Sequence, residues 1–135
     1  MDEAKRPTLS PTRDSERFWE GCRRGELLIQ RCSNCGQYRF YPRLACAECL
    51  STAAEWVPST GRGQVYSYSV VHHAPSSAFQ PDCPYVLALI DLDEGVRLLS
   101  RVVDCAHDAV RVGMSVRVVF NRVVDEMALP EFRPE

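Results

Sequence analysis

Four of the seven cysteines in this 135-residue chain form two Cys-x2-Cys pairs, Cys32–Cys35 and Cys46–Cys49, with ten residues between the pairs. Two intervening residues let both sulfurs of a pair turn toward one point, so two such knuckles can build a tetrahedral cage of four thiolates. Gly36 follows the first knuckle and supplies the backbone freedom that such a turn favours, whereas Leu50 stands at the equivalent place in the second. The spacing therefore predicts a metal site on these four cysteines.

Zinc is the predicted metal, and iron is the less favoured alternative because both accept four thiolates. A closed four-cysteine cage leaves no position for water or substrate, so the metal is expected to be structural and not catalytic. Cys22, Cys83 and Cys105 stand outside the two pairs. In a reducing compartment we expect them to act as small hydrophobic residues.

Beyond the first knuckle, Arg39, Tyr41 and Arg43 alternate along a predicted strand and the loop that leaves it. One face there would present two guanidinium groups beside an aromatic ring, which suits a phosphorylated ligand with a planar base. The same residues equally suit a solvated surface. His72, His73 and Phe79 are further candidate contacts, but the two histidines cannot form one site because consecutive strand residues point to opposite faces. The residues therefore give no paired nucleophile and base.

The composition and charge of the chain count against nucleic-acid binding and against membrane insertion. Hydrophobic residues make up 45% and charged residues 25% of the chain, and the net charge is −2. Up to Gly63 there are 10 basic and 8 acidic residues, and beyond it 6 and 10, so no overall positive field would hold nucleic acid. The N-terminus has no apolar run typical of a signal peptide, and no stretch could span lipid. We expect a cytoplasmic protein that does not bind membranes.

The elements that must position these residues are mostly strands. A helix is predicted from Ser10-Pro11 to just before Gly25, with Phe18 and Trp19 docked on the rest of the chain. Strands are predicted around the knuckles over residues 27–31, 37–41 and 55–58. A turn cluster at 59–63 is the predicted boundary, which gives three units: 1–25 (tail and helix), 26–60 (metal-binding ribbon) and 61–135 (barrel).

Five further strands are predicted after that boundary, over residues 64–73, 85–93, 96–103, 115–124 and about 129–132. In the first of them, strict alternation would place Val65, Ser67, Ser69 and Val71 on one face, and Tyr66, Tyr68, Val70 and His72 on the other. Five strands with a longer excursion between the third and fourth favour a small Greek-key barrel of the OB type. The predicted fold is therefore mainly β.

From Phe18 to Phe132 the sequence resembles the domain-of-unknown-function 35 family, in which a helical segment precedes a rubredoxin-like zinc ribbon and an OB-fold. The matching pieces are Phe18-Trp19-Glu20-Gly21, Gly25-Glu26-Leu27, the four paired cysteines, residues 61–68, His72-His73, and residues 84–95, 112–116 and 129–132. Each piece alone is a weak signal, and their order and spacing together are specific.

The resemblance implies a non-catalytic accessory subunit that binds a thiolase-superfamily enzyme and helps form or gate its acyl-CoA site. Relatives of this kind accompany thiolases, condensing enzymes of the hydroxymethylglutaryl-CoA synthase type, acyltransferases and aldolases of steroid side-chain breakdown. Only the four metal ligands carry over from the family. Arg39, Tyr41, Arg43, His72, His73 and Phe79 are the candidate contacts for coenzyme A or the partner.

A second hypothesis comes from another class of protein. OB barrels and zinc ribbons both bind single-stranded nucleic acid, and Tyr66, Tyr68 and Phe79 would then be stacking platforms in a basic groove. The net charge of −2 and a single lysine, Lys5, count against this hypothesis.

Overall fold

The computed structural model describes residues 6–124 and 126–135, which form one helix and two β units. The helix, α1, spans Glu16–Arg23. The first β unit is an antiparallel sheet of β1 (Leu28–Cys32), β2 (Tyr38–Arg39) and β3 (Ala54–Pro58), in the order β2-β1-β3. These strands agree with the three predicted around the knuckles to within two residues at each end.

Helix α1 is shorter than predicted, because it begins at Glu16 and not at Ser10. Residues before it form a turn in which the Ser15 N–H donates to the Thr12 carbonyl at 3.0 Å and the Thr12 N–H donates to Ser15 Oγ at 2.9 Å. These local bonds compete with helix formation. The helix ends, as predicted, just before Gly25, whose φ of 76° allows the Glu26 N–H to reach the Gly21 carbonyl.

The second β unit is a closed barrel with strand order β4-β5-β6-β8-β7. Its strands are β4 (Arg62–Val71), β5 (Tyr85–Leu92), β6 (Arg97–Val102), β7 (Ser115–Val124) and β8 (Met127–Pro134). β4, β5 and β6 follow one another in antiparallel pairs, and β8 runs parallel to β6. This is the five-stranded OB-type topology that the sequence predicted. Two short 3-10 turns, Ser77–Asp82 and His107–Ala109, lie in the connections.

The face assignment for β4 was wrong beyond Val65. A bulge shifts the register between Val65 and Ser67, so Val65 pairs with Ile90 while Tyr68 pairs with Ala88. Directly opposed residues of antiparallel strands share a face. Tyr68 therefore lies on the face of Ala88, which is buried with Ile90 in the core. One extra residue in a bulge reverses the alternation that follows it.

The two β units and the helix share one hydrophobic core. Phe18 and Cys22 of α1 and Ile29 of β1 belong to the same buried cluster as the barrel residues Ile90 and Phe132. The core therefore fixes the ribbon and helix against the barrel. In the described residues, no helix has the length and apolarity needed to cross a membrane.

The barrel is loosely joined along one seam. β6 and β8 share a single register pair, Val102 with Phe132. Pro130 of β8 has no N–H to donate, and its carbonyl accepts instead from the Ser100 hydroxyl at 2.8 Å. On the β6 side, the Leu99 N–H donates to the hydroxyl of Tyr41 at 3.1 Å. A side chain from the ribbon thus takes the place of a strand neighbour.

Candidate metal centre and adjoining groove

The structure brings the four paired cysteines together. Their sulfurs all lie within 4.8 Å of one another. The Sγ atoms of Cys32 and Cys49 are 3.5 Å apart, and those of Cys35 and Cys46 are 3.6 Å apart. A tetrahedral zinc with bonds of about 2.3 Å needs sulfur–sulfur separations of roughly 3.8 Å. The donor set and its dimensions therefore fit a zinc ion held by four thiolates.

The two knuckles have the same backbone design. In the first, the Gly36 N–H donates to the Cys32 carbonyl at 2.9 Å, and in the second the Leu50 N–H donates to the Cys46 carbonyl at 2.9 Å. Both turns require a positive φ, 78° at Gly36 and 65° at Leu50. Glycine adopts this conformation freely, whereas the Cβ of leucine comes too close to a backbone carbonyl oxygen. The second knuckle is therefore strained where the first is not.

Backbone N–H groups favour the thiolate form of Cys32 and Cys46, the first cysteine of each knuckle. A hydrogen bond from the Cys35 backbone is the main reason that the pKa of Cys32 falls to about 6. Backbone bonds from Cys49 and Glu48 likewise lower the pKa of Cys46. Thiolate is the form that binds metal. By contrast, burial raises the pKa of Cys22 to about 12, which makes this thiol a packed apolar group and a poor nucleophile.

The structure separates the arginine patch into two parts. Arg39 turns back into the ribbon, where its Nε donates to Gln30 Oε1 at 2.9 Å and its Nη2 donates to the Arg43 carbonyl at 3.0 Å. The Arg43 backbone N–H donates to the same Gln30 oxygen at 2.8 Å. Arg39 thus braces the loop, while the side chain of Arg43 is exposed. Tyr41 reaches the barrel instead.

The two histidines are exposed, and arginines cover two of the three proposed stacking residues. His72 and His73 are exposed after β4, and the ring of His72 lies 5.8 Å from that of His107. Tyr66 is covered by the Arg97 guanidinium at 3.4 Å from its ring centre, and Phe79 by Arg6 at 5.2 Å. The bulge in β4 moves Tyr68 to the opposite face from the one that strict alternation gives it.

Sequence reasoning missed a groove of about 540 Å³ between α1, the ribbon loop and the barrel. Phe18, Trp19 and residues 40–42 form one wall, and the loosely joined β6–β8 seam forms the floor. Its one visible sequence signal was Pro130, a proline within a predicted strand.

A charged cluster adjoins this groove and contributes Arg101, Arg122 and Glu131 to its lining. Asp82 accepts from Arg6 at 2.7 Å and from Arg101 at 3.0 Å, and lies 3.8 Å from Arg122. Burial raises the pKa of Asp82, but the two arginine hydrogen bonds outweigh burial and hold it below its ordinary value. Glu131 is buried near Arg122, and there burial raises the pKa despite the arginines. The members of this cluster are distant from one another in the sequence, so no sequence motif predicted it.

Two family models match the chain in succession. Residues 19–55 match the rubredoxin-like zinc ribbon domain of ChsH2, and residues 56–121 match its C-terminal OB-fold domain. The chain is similar along 96% of its length, at 40% identity and a TM-score of 0.83, to 98% of a chain in a solved structure titled "Ltp2-ChsH2(DUF35) aldolase".

Curated relatives carry related names. A "DUF35 domain-containing scaffold protein" of Methanocaldococcus jannaschii is 41% identical over 82% of this chain and 79% of its own length. A "Probable enoyl-CoA hydratase alpha subunit" of Thermomonospora curvata is 40% identical over 97% of this chain, which spans 40% of that relative. A "Benzoylsuccinyl-CoA thiolase subunit BbsA" of Geobacter metallireducens is 35% identical over 53% of this chain and 47% of its own length. The chain belongs to the DUF35 family of zinc ribbon and OB-fold proteins.

Proposed function

We propose that this chain is a non-catalytic accessory subunit that docks onto a thiolase-superfamily enzyme and helps form its acyl-CoA site. The observation that carries the proposal is its similarity, along nearly the whole of both chains, to the DUF35 chain of the Ltp2-ChsH2 aldolase. The thiolase-subunit and scaffold names of two relatives support the same role.

The ribbon offers an apolar surface for such a partner. Leu44 and Leu50 flank the second knuckle and are 69% and 77% exposed. Leu50 keeps this position at the cost of a positive φ. A strained residue whose side chain projects into solvent is better explained by a contact than by the fold. We assign Leu44 and Leu50 to the docking surface.

Zinc is the proposed metal, held by Cys32, Cys35, Cys46 and Cys49. With four thiolates it has no open position, so its contribution is to folding. The ribbon sheet is small, and its edge strand β2 has only two residues. The metal therefore holds the docking surface in shape. The unit boundaries predicted at residues 25 and 60 also remain proposals.

Co-expression with a thiolase-superfamily enzyme of the same genome tests the role. We expect a stable complex on size-exclusion chromatography, and acyl-CoA turnover that requires both chains. Leu44→Asp should weaken the complex at least tenfold, because it places a charge in an apolar contact. Val112→Asp, at a barrel residue that is 67% exposed, is the matched control and should leave the complex intact. Turnover by this chain alone, or full turnover by the partner alone, would refute the proposal.

A further inference from the structure

The groove between α1 and the barrel has the composition of a ligand site. Its volume of about 540 Å³ lies within the range of roughly 300–1,000 Å³ typical of small-molecule pockets. Apolar side chains dominate the lining, among them Phe18, Trp19, Phe40 and Leu129. The charged side chains of the lining, Arg101, Arg122 and Glu131, cluster together and form its polar end. A ligand with an apolar body and a single polar end would match this division.

The polar end carries surplus positive charge. Three arginines, Arg6, Arg101 and Arg122, surround two carboxylates, Asp82 and Glu131. Asp82 forms its shortest contacts with Arg6 and Arg101, at 2.7 and 3.0 Å. With both carboxylates ionised the cluster has a net charge of +1. Burial raises the pKa of Glu131, and uptake of a proton by this group would make the cluster more positive.

Among the three arginines of this cluster, Arg122 has the longest contacts to its carboxylate neighbours in the part of the chain that the structure describes. Its nearest carboxylate oxygens, on Asp82 and Glu131, lie at 3.8 and 3.7 Å, beyond hydrogen-bond distance. Its side chain is 21% exposed and lines the groove. A guanidinium in this setting gains from an oxygen acceptor that a ligand brings.

The groove floor also explains how the site is kept open. Pro130 cannot extend the ladder toward β6, and the Leu99 N–H is bonded to Tyr41 and not to β8. The two strands therefore stay apart over the stretch that lines the groove, and their open edges are satisfied by side chains. A barrel that closed this seam by a regular ladder would have no such floor.

We propose that this groove holds the apolar acyl part of the substrate, with a carboxylate or carbonyl oxygen of that acyl group directed at Arg122. This assignment rests on the proposed function, because it makes the accessory chain a contributor to acyl selection. It names a site on this chain that is separate from the metal centre and from the exposed residues Leu44 and Leu50.

Binding to the full chain can be measured with cis-parinaric acid, whose fluorescence rises in an apolar site, and by competition with dodecanoate and dodecanol. We expect dodecanoate to compete better than dodecanol. Arg122→Gln should lower the affinity for dodecanoate about tenfold, which is the typical effect of losing one charge-assisted hydrogen bond. It should lower the affinity for dodecanol less than threefold. Arg122→Lys should retain most of the preference. Arg117→Gln, at an exposed arginine of the same strand, is the matched control and should change neither.

Leu99→Trp provides an independent test, since this residue is 49% exposed at the groove and a larger side chain there should weaken both competitors without disturbing the core. Failure of the acid preference in the wild-type chain, or equal effects of Arg122→Gln and Arg117→Gln, would overturn the groove assignment. Complex formation with the thiolase-superfamily enzyme is measured separately. A complex that forms and turns over with unchanged acyl preference in Arg122→Gln refutes this inference alone, whereas loss of the complex in the wild type refutes the proposed function.

Discussion

The substitution Leu50→Gly should raise metal retention and lower partner affinity. Leu50 has a φ of 65° at the place where the first knuckle has Gly36, and its side chain is 77% exposed. Leu50→Gly removes the backbone strain and the exposed side chain together. The two effects belong to different equilibria, metal binding in the free chain and docking to the partner, so they can be measured apart.

The gain in metal retention follows from the backbone. A non-glycine residue in the left-handed region destabilises the fold by about 1–2 kcal/mol. Glycine removes this strain, but its greater entropy in the unfolded chain offsets about 0.5–1 kcal/mol of the gain. Leu50→Gly should therefore stabilise the metal-bound knuckle by about 1 kcal/mol or less, an increase of up to roughly fivefold in zinc retention.

The loss in partner affinity follows from the side chain. Fully burying a leucine is worth about 1.5–3 kcal/mol. Because 77% of Leu50 is available for burial in a complex, its removal should cost the complex about 1–2 kcal/mol. This corresponds to an affinity roughly 5- to 30-fold lower.

Zinc retention is assayed by competition with a chromogenic chelator, and partner affinity by titration calorimetry. Leu50→Ala separates the two effects, since it keeps the strained φ and removes the side chain; it should lose affinity and leave zinc retention unchanged. Gly36→Ala should lower zinc retention, because alanine is strained at the positive φ of this position. The added Cβ itself meets no clash, since its nearest neighbour is Arg31 Nη2 at 3.6 Å. Unchanged affinity in both Leu50 variants would refute Leu50 as a docking residue, and unchanged retention in Leu50→Gly would refute the strain argument.

Four further outcomes are expected. Cys46→Ser should lower zinc content below half an equivalent and reduce the folding yield, since metal binding and ribbon folding are coupled; retention of a full equivalent would contradict the four-thiolate site. Asp82→Asn should lower the melting temperature most near neutral pH. The folded-state pKa of Asp82 lies below its ordinary value of 3.8, so its stabilisation is present above that value and is lost as the pH falls through the folded pKa; a difference that grows in acid would contradict the assignment. Gly63→Ala should destabilise the barrel by about 2 kcal/mol or more, because the added Cβ would collide with the Asp91 carbonyl; a melting curve like the wild type's would contradict the close packing. Binding of single-stranded DNA at moderate salt should be negligible, and a sub-micromolar dissociation constant that weakens steeply with salt would instead support the nucleic-acid hypothesis.

The sequence was informative where a local pattern determines the structure. The cysteine spacing predicted the cysteine cluster, and runs rich in apolar residues predicted β5 and β7 to within a residue. The start of α1 was misplaced because Ser10-Pro11 has the composition of a helix start, while the turn formed by Thr12 and Ser15 displaces it. A bulge has no reliable sequence signature either, so the faces of β4 were wrong after Val65.

The groove could not be predicted because it depends on contacts between distant segments. Asp82 and Glu131 are 49 positions apart in the sequence and share Arg122 as a neighbour. Tyr41 and Leu99 are 58 positions apart and share a hydrogen bond. Only the closed barrel places these residues around one space, and neither spacing nor composition encodes that arrangement.

The metal centre and the groove are linked through the ribbon loop. Residues 40–42 lie between the two knuckles in sequence and form part of the groove wall, with the Phe40 ring 5.4 Å from that of Phe18. The four thiolates fix both ends of this loop, and Tyr41 ties its middle to the barrel seam. A zinc ion held by these thiolates would therefore shape the proposed acyl site without touching it. The same ion would hold Leu44 and Leu50 at the proposed docking surface, so one metal would support both contacts that the proposed accessory subunit needs.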